Sequence, residues 1–102
     1  MQDIIEELVA FRNARKWGKH HTEAELARAL IIEAAELNEL LLWGEEADQE
    51  RYGEEVADVL IYALYLCEKR HLDPATIIRA KIEKNAIKYP VFGSPEELNW
   101  KA

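Results

Sequence analysis

Apolar residues recur at three- and four-residue intervals along most of the chain and nowhere alternate strictly with polar ones, so the pattern predicts helices and no strands. The first helix, over residues 3–17, carries Ile4, Ile5, Leu8 and Phe11 on one side, with Gly18 just past its end as the stop. Thr22 and Glu25 stand in the capping-box relation, which opens a second helix over 22–43 with Gly44 as its C-terminal cap. From Ala27 onwards that helix is apolar on nearly every side, the mark of a helix covered all round: one face serves the chain's own core and another needs a second subunit. Asp48 caps a third helix over 48–71, with Gly53 tolerated inside it. Asp73 and Pro74 then open a fourth over 74–88, on which Ile77, Ile78 and Ile82 form the expected buried face, and the pair Tyr89, Pro90 ends it. Ser94 and Pro95 start a further helical turn, with Trp100 packing on a neighbour or subunit. The expected class is all-α, in a single domain over 1–102.

Acidic residues interrupt this pattern where a core should be. At about 100° per residue, the side of the second helix that carries Glu33 also carries Leu26, Leu30, Leu37 and Leu40, with Glu36 about 60° away. In the third helix Glu55 shares its side with Val59, Tyr62 and Leu66, and Asp58 stands off by the same about 60°. The two layouts superpose, Glu33, Glu36, Leu37, Leu40 and Trp43 matching Glu55, Asp58, Val59, Tyr62 and Tyr65. A single E-x-x-E is most simply a solvated charged face; two copies on separate helices, each set into an aliphatic face, point the other way. Carboxylates are almost never fully buried unpaired, so something positive should lie between these helices. Mg²⁺ fits, because it takes a few carboxylates, keeps several waters and shares its remaining positions with phosphates; Mn²⁺ is an admissible substitute. The second and third helices should then run antiparallel, with Glu33 and Glu36 facing Glu55 and Asp58.

Charge sharpens the division of labour. The formal net charge is −7, which argues against sequence-independent nucleic-acid binding. Residues 23–58 hold twelve acidic and two basic side chains, whereas residues 68–88 hold six basic and three acidic ones. Either oppositely charged helices simply pack together, or a metal-binding half faces a phosphate-binding half. No apolar run is long enough for a membrane span, the charged N-terminus does not read as a signal peptide, and a single cysteine, Cys67, reads as a core thiol that suits a cytoplasmic address.

Other chemistries fit less well. Glu68 and His71 form one Glu-x-x-His pair of the di-iron type, but a second pair is missing and Glu68 lies about 140° around the helix from Glu55. His20 and His21, adjacent in the loop after Trp17, read as surface residues rather than ligands. No glycine-rich phosphate loop, paired CxxC motif or nucleophilic serine motif is present. That leaves metal-assisted chemistry, or, as the alternative of a different class, a non-catalytic helical oligomerisation module.

E-x-x-E, 18 residues, then E-x-x-D resembles the signature of the MazG-type all-α nucleoside triphosphate pyrophosphohydrolases. The likeness extends to Phe11, Arg12, Arg15 and Trp17, to His21 and Thr22, to Trp43, to Asp58 through Tyr62, and to Lys81, Asn85, Lys88, Tyr89 and Pro90, which together resemble the short dCTP pyrophosphatase branch. The resemblance implies a four-helix bundle that assembles as a homotetramer, a dimer of dimers, with sites built across subunits. It implies Mg²⁺-dependent hydrolysis of a (deoxy)nucleoside triphosphate to a monophosphate and pyrophosphate, cleaning the nucleotide pool. Glu33, Glu36, Glu55 and Asp58 would be the catalytic metal ligands; Trp17 and Trp43 would contact the base, and Tyr62, Lys81, Asn85 and Tyr89 the sugar and phosphates. Glu36, Glu39 and Glu54 are each candidates for orienting the attacking water. Related dCTP-hydrolysing enzymes can carry a His where this chain has Leu8, which leaves dCTP and dATP both open as substrates.

Overall fold

Side-chain caps mark the starts of three of the four described α-helices. A computed structural model describes residues 1–42 and 48–91, apart from the side chain of His20. It contains α1 (Gln2–Ala14), a short 3-10 turn (Gly18–His20), α2 (Glu23–Leu42), α3 (Gln49–Lys69) and α4 (Pro74–Lys88), with no strand among the described residues. The Thr22 hydroxyl accepts from the Glu25 amide at 3.2 Å, and Asp48 accepts from the Glu50 amide at 3.4 Å. Asp73 accepts from both the amide and the hydroxyl of Thr76, at 3.0 and 2.7 Å, with Pro74 in the first turn where no amide hydrogen is needed. The expectations for Trp43, Gly44 and residues 94–100 lie outside the described residues.

Two ends close differently from the sequence expectation. α1 stops at Ala14, three residues short of the expected Trp17, and α3 stops at Lys69. In both, a residue past the cap turns into the left-handed region, Lys16 at φ 55 and His71 at φ 54. The amides then fold back in the same double pattern: Lys16 to Asn13 and Trp17 to Arg12, His71 to Glu68 and Leu72 to Cys67. Glycine is the usual residue at this position, so the sequence carried no sign of either stop. In α1 the reversal brings Trp17 edge-on to Phe11, with ring centroids 5.6 Å apart.

α2 and α3 make the main contact of the fold. Arg70, just past the end of α3, pairs at 2.8 Å with Glu23 at the start of α2, so the two helices run antiparallel. Leu26 is 1% exposed between them. α1 lies across α3, where Ile5, Leu64 and Tyr65 are buried. The Tyr65 hydroxyl donates to the Leu8 carbonyl at 2.9 Å, and Arg12, itself buried, donates from Nη1 to Glu68 Oε2 at 2.8 Å. The Glu-x-x-His pair considered above is thereby explained, since Glu68 serves Arg12.

The face expected to be buried on α4 is not. Ile77, Ile78 and Ile82 are 38%, 54% and 60% exposed, because the turn at His71 to Asp73 carries α4 away from the other helices. Nor is α2 covered all round, since Ile31, Ile32, Leu41 and Leu42 lie open. The radius of gyration, 17.3 Å, exceeds the roughly 13 Å of a compact chain of this length. No described helix is long and apolar enough to cross a membrane.

Arg12→Ala leaves the half-buried Glu68 carboxylate without its partner and is expected to cost about 1–3 kcal/mol in urea unfolding at pH 7. The guanidinium holds Glu68 below the ordinary value of 4.5, so this loss is complete above that pH and shrinks as the pH falls through the lowered value. His71→Gly, by removing the left-handed penalty at the α3 stop, should instead raise stability by about 1 kcal/mol.

Candidate active site

The antiparallel pairing of α2 and α3 sets the two acidic repeats against each other. One carboxylate oxygen from each of Glu33, Glu55 and Asp58 falls within 4.8 Å of the other two, and all three residues are half-buried. Glu36 is the exposed member of the predicted four; it lies beside this trio, within hydrogen-bonding reach of Glu33 and Glu55. The structure therefore brings all four together, three as a tight cluster and Glu36 at its open side.

No ion pair among the described residues reaches the trio. Glu33 Oε2 and Glu55 Oε2 are buried without a hydrogen-bond partner. Burial, and then the adjacent carboxylates of Glu36, Asp58 and Glu55, push Glu33 up to about 6. Burial first and the charges of Glu36 and Asp58 next raise Glu55, opposed by Arg51. Tyr62 is raised by burial, with Glu33 and Asp58 adding to it. Such a donor set fits a hard divalent cation. Glu33, Glu55 and Asp58 would together hold it.

Asp58 also opens onto a groove of about 410 Å³ between α1 and α3. Its aromatic wall is a continuous chain of rings, Phe11 to Trp17, Trp17 to His21 at 6.0 Å and His21 to Tyr65 at 5.1 Å. Leu8 and Ile61 supply aliphatic lining, and Tyr62 stands one helical turn beyond Asp58. The Arg15 guanidinium lies 3.5 Å from the Phe11 ring centroid. Of the predicted substrate residues, Trp17 and Tyr62 line this groove. Lys81, Asn85 and Tyr89 do not, because they lie on or just past α4, which leaves the rest of the chain. Phe11, His21, Tyr65 and Glu7 line the groove without having been singled out for it. Phe11 stood in the apolar stripe of α1 and, with His21, in the family motif, and Tyr65 in the repeated helical layout; none of these distinguishes a groove wall from a core, and Glu7 carried no signal.

The sequence profile of the MazG-like family matches residues 23–100. The chain belongs to the MazG-like family. The match takes in both acidic repeats, α4 and the residues that join them. This MazG-like chain is 33% identical to dCTP pyrophosphatase 1 of Rattus norvegicus, over 89% of its own length and 59% of the rat protein. Against dCTP pyrophosphatase 1 of Homo sapiens it is 29% identical, over 88% and 59%. It thus spans less than two thirds of the curated relatives it matches. A pyrophosphatase from Archaeoglobus fulgidus, known from a crystal structure, superposes with a TM-score of 0.79 at 39% identity, covering 89% of this chain and 93% of that one.

The raised Glu33 gives the MazG-like trio a pH signature. Its folded value, about 6, lies above its ordinary 4.5, so with divalent cations chelated the protein should lose stability as pH rises from about 4.5 to 6. Adding Mg²⁺ or Mn²⁺ at pH 7 should restore it. Melting temperatures recorded across that range, with Glu33→Gln reducing the slope to the part left by Glu55, check the assignment.

Proposed function

We propose that this chain is a divalent-metal-dependent nucleotide pyrophosphohydrolase, splitting a (deoxy)nucleoside triphosphate between its α and β phosphates to give a monophosphate and pyrophosphate. The observation that carries this reading is the sharing of Asp58 between the carboxylate trio and the aromatic groove. A phosphate chain bound at one end of that surface has its base at the other, over rings suited to stacking. The relatives named dCTP pyrophosphatase and pyrophosphatase support the same reading.

Glu33, Glu55 and Asp58 would hold the cation, with Glu36 completing the set. Bound there, Mg²⁺ supplies Lewis-acid polarisation of the phosphoryl oxygens. The chain's own groups do the rest. Phe11 and Trp17 stack the base and exclude water from its faces over the buried Tyr65, and Trp43, which follows α2, is assigned to the same base. Tyr62, between trio and rings, addresses the sugar. Glu36, the most open of the four carboxylates, orients the attacking water and accepts its proton as the water oxygen bonds to phosphorus and the bridging P–O bond breaks.

We assign Lys81, Asn85 and Tyr89 to the phosphates bound by another copy of the chain. α4 carries Arg79, Lys81, Lys84 and Lys88 beside its exposed isoleucines, which suits it to a strongly acidic α2–α3 pair of a second subunit. The assembly is a homotetramer, a dimer of dimers, of one domain per chain over 1–102. Its substrate is dCTP or dATP, and its task is cleaning the cytoplasmic nucleotide pool.

Incubation with each nucleoside triphosphate and Mg²⁺ should release monophosphate and pyrophosphate in equal amounts. Asp58→Asn is expected to lower kcat/KM by about 100-fold or more while leaving the helical circular dichroism unchanged. Orthophosphate as the first product, or turnover indifferent to Asp58, would point to a different activity, and no turnover at all to a helical oligomerisation module.

A further inference from the structure

One charged group on the groove is unused by that reaction. Apart from Asp58, which belongs to the carboxylate cluster, the groove's lining includes a second acid, Glu7, one helical turn before Phe11 on α1. Its side chain is exposed to the groove, and among the described residues it takes part in no ion pair and no side-chain hydrogen bond. α1 is fixed there: the Tyr65 hydroxyl is committed to the Leu8 carbonyl, and Arg12 is held by Glu68. Glu7 is therefore presented on a rigid wall beside stacking rings, not at the end of a loop.

A carboxylate accepts hydrogen bonds and donates none. A flat ring lying against Phe11 and Trp17 presents its edge to that acceptor. The exocyclic amines of cytosine and adenine are donors, and a carboxylate is a recognised partner of the cytosine amine. Uracil and thymine place a carbonyl oxygen where cytosine has the amine, so the same approach sets two acceptors against each other and leaves both without a proton. Resting on the nucleotide reading above, we propose that Glu7 is a specificity-determining residue that selects nucleotides whose base carries the cytosine-type or adenine-type exocyclic amine opposite it, against uracil and thymine, which place a carbonyl there.

The full chain is assayed with dCTP, dATP, dUTP and dTTP, as wild type, Glu7→Gln and Glu7→Asp. Calorimetry then measures binding of dCMP and dTMP with divalent cations chelated, which reads the groove without turnover. The wild type should favour the better amino-bearing substrate over dUTP and dTTP by about tenfold or more in kcat/KM, mostly through KM. Gln offers an amide N–H to the carbonyl, so Glu7→Gln should narrow that ratio by about tenfold and shift the dCMP to dTMP binding ratio the same way. Glu7→Asp, keeping the acceptor, should retain the order of preference. A wild type that prefers dUTP or dTTP, or a Gln variant whose ratios stay within about twofold of wild type, overturns the role of Glu7 while the hydrolase reading stands. Absence of both turnover and monophosphate binding would overturn the two together.

Discussion

Three carboxylates crowded between two helices, with buried oxygens on Glu33 and Glu55 that meet no donor, are the constraint around which the molecule is arranged. Bringing like charges into a half-buried space opposes the packing of α2 on α3, and the rise of Glu33 to about 6 expresses that opposition. The helix pair nevertheless holds, because the apolar residues on the same faces, Leu26 above all, are removed from water when the helices meet. A cation held there would convert the repulsion into attraction. Strain of this kind at a cluster open to solvent on one side, at Glu36, is what a metal-assisted hydrolase needs and a purely structural helix pair does not.

The second organising contact is between α1 and α3. The Arg12–Glu68 pair and the Tyr65–Leu8 hydrogen bond lock the two helices at one end. The left-handed turn at Lys16 folds the chain back so that Trp17 and His21 complete a run of rings above them. A groove with one charged end and one aromatic end follows directly, and Asp58 makes the two ends continuous. Helices α1 and α3 supply most of its walls, with Trp17 and His21 added by the connection between α1 and α2, which favours precise placement of a stacked base.

α4 gives the chain its open shape. The α3 stop at His71 and the capped start at Asp73 direct it away from α2 and α3, leaving isoleucines and cations on a free helix. Among the described residues few large side chains are fully buried, and α2 also leaves an apolar face uncovered. On the proposed reading, both features suit a protomer that finishes its core and its phosphate contacts against further copies of itself.

The sequence by itself determined the helices and their starts, because Thr22, Asp48, Asp73 and Pro74 act on the amides within a few residues of themselves. It also determined which carboxylates would meet, since a 22-residue repeat of one helical layout, folded back on itself, leaves Glu33 and Glu36 opposite Glu55 and Asp58. It was silent on the left-handed stops at Lys16 and His71, where no glycine marks the turn, and so on the end of α1 and the direction of α4. Periodicity gave Ile77, Ile78 and Ile82 a face to bury but could not say that the described chain leaves it exposed. The groove was decided by tertiary structure alone. Phe11, His21, Tyr65 and Glu7 come from three separate stretches, and an apolar stripe looks the same whether the space it faces is filled by a neighbouring side chain or left open for a ligand.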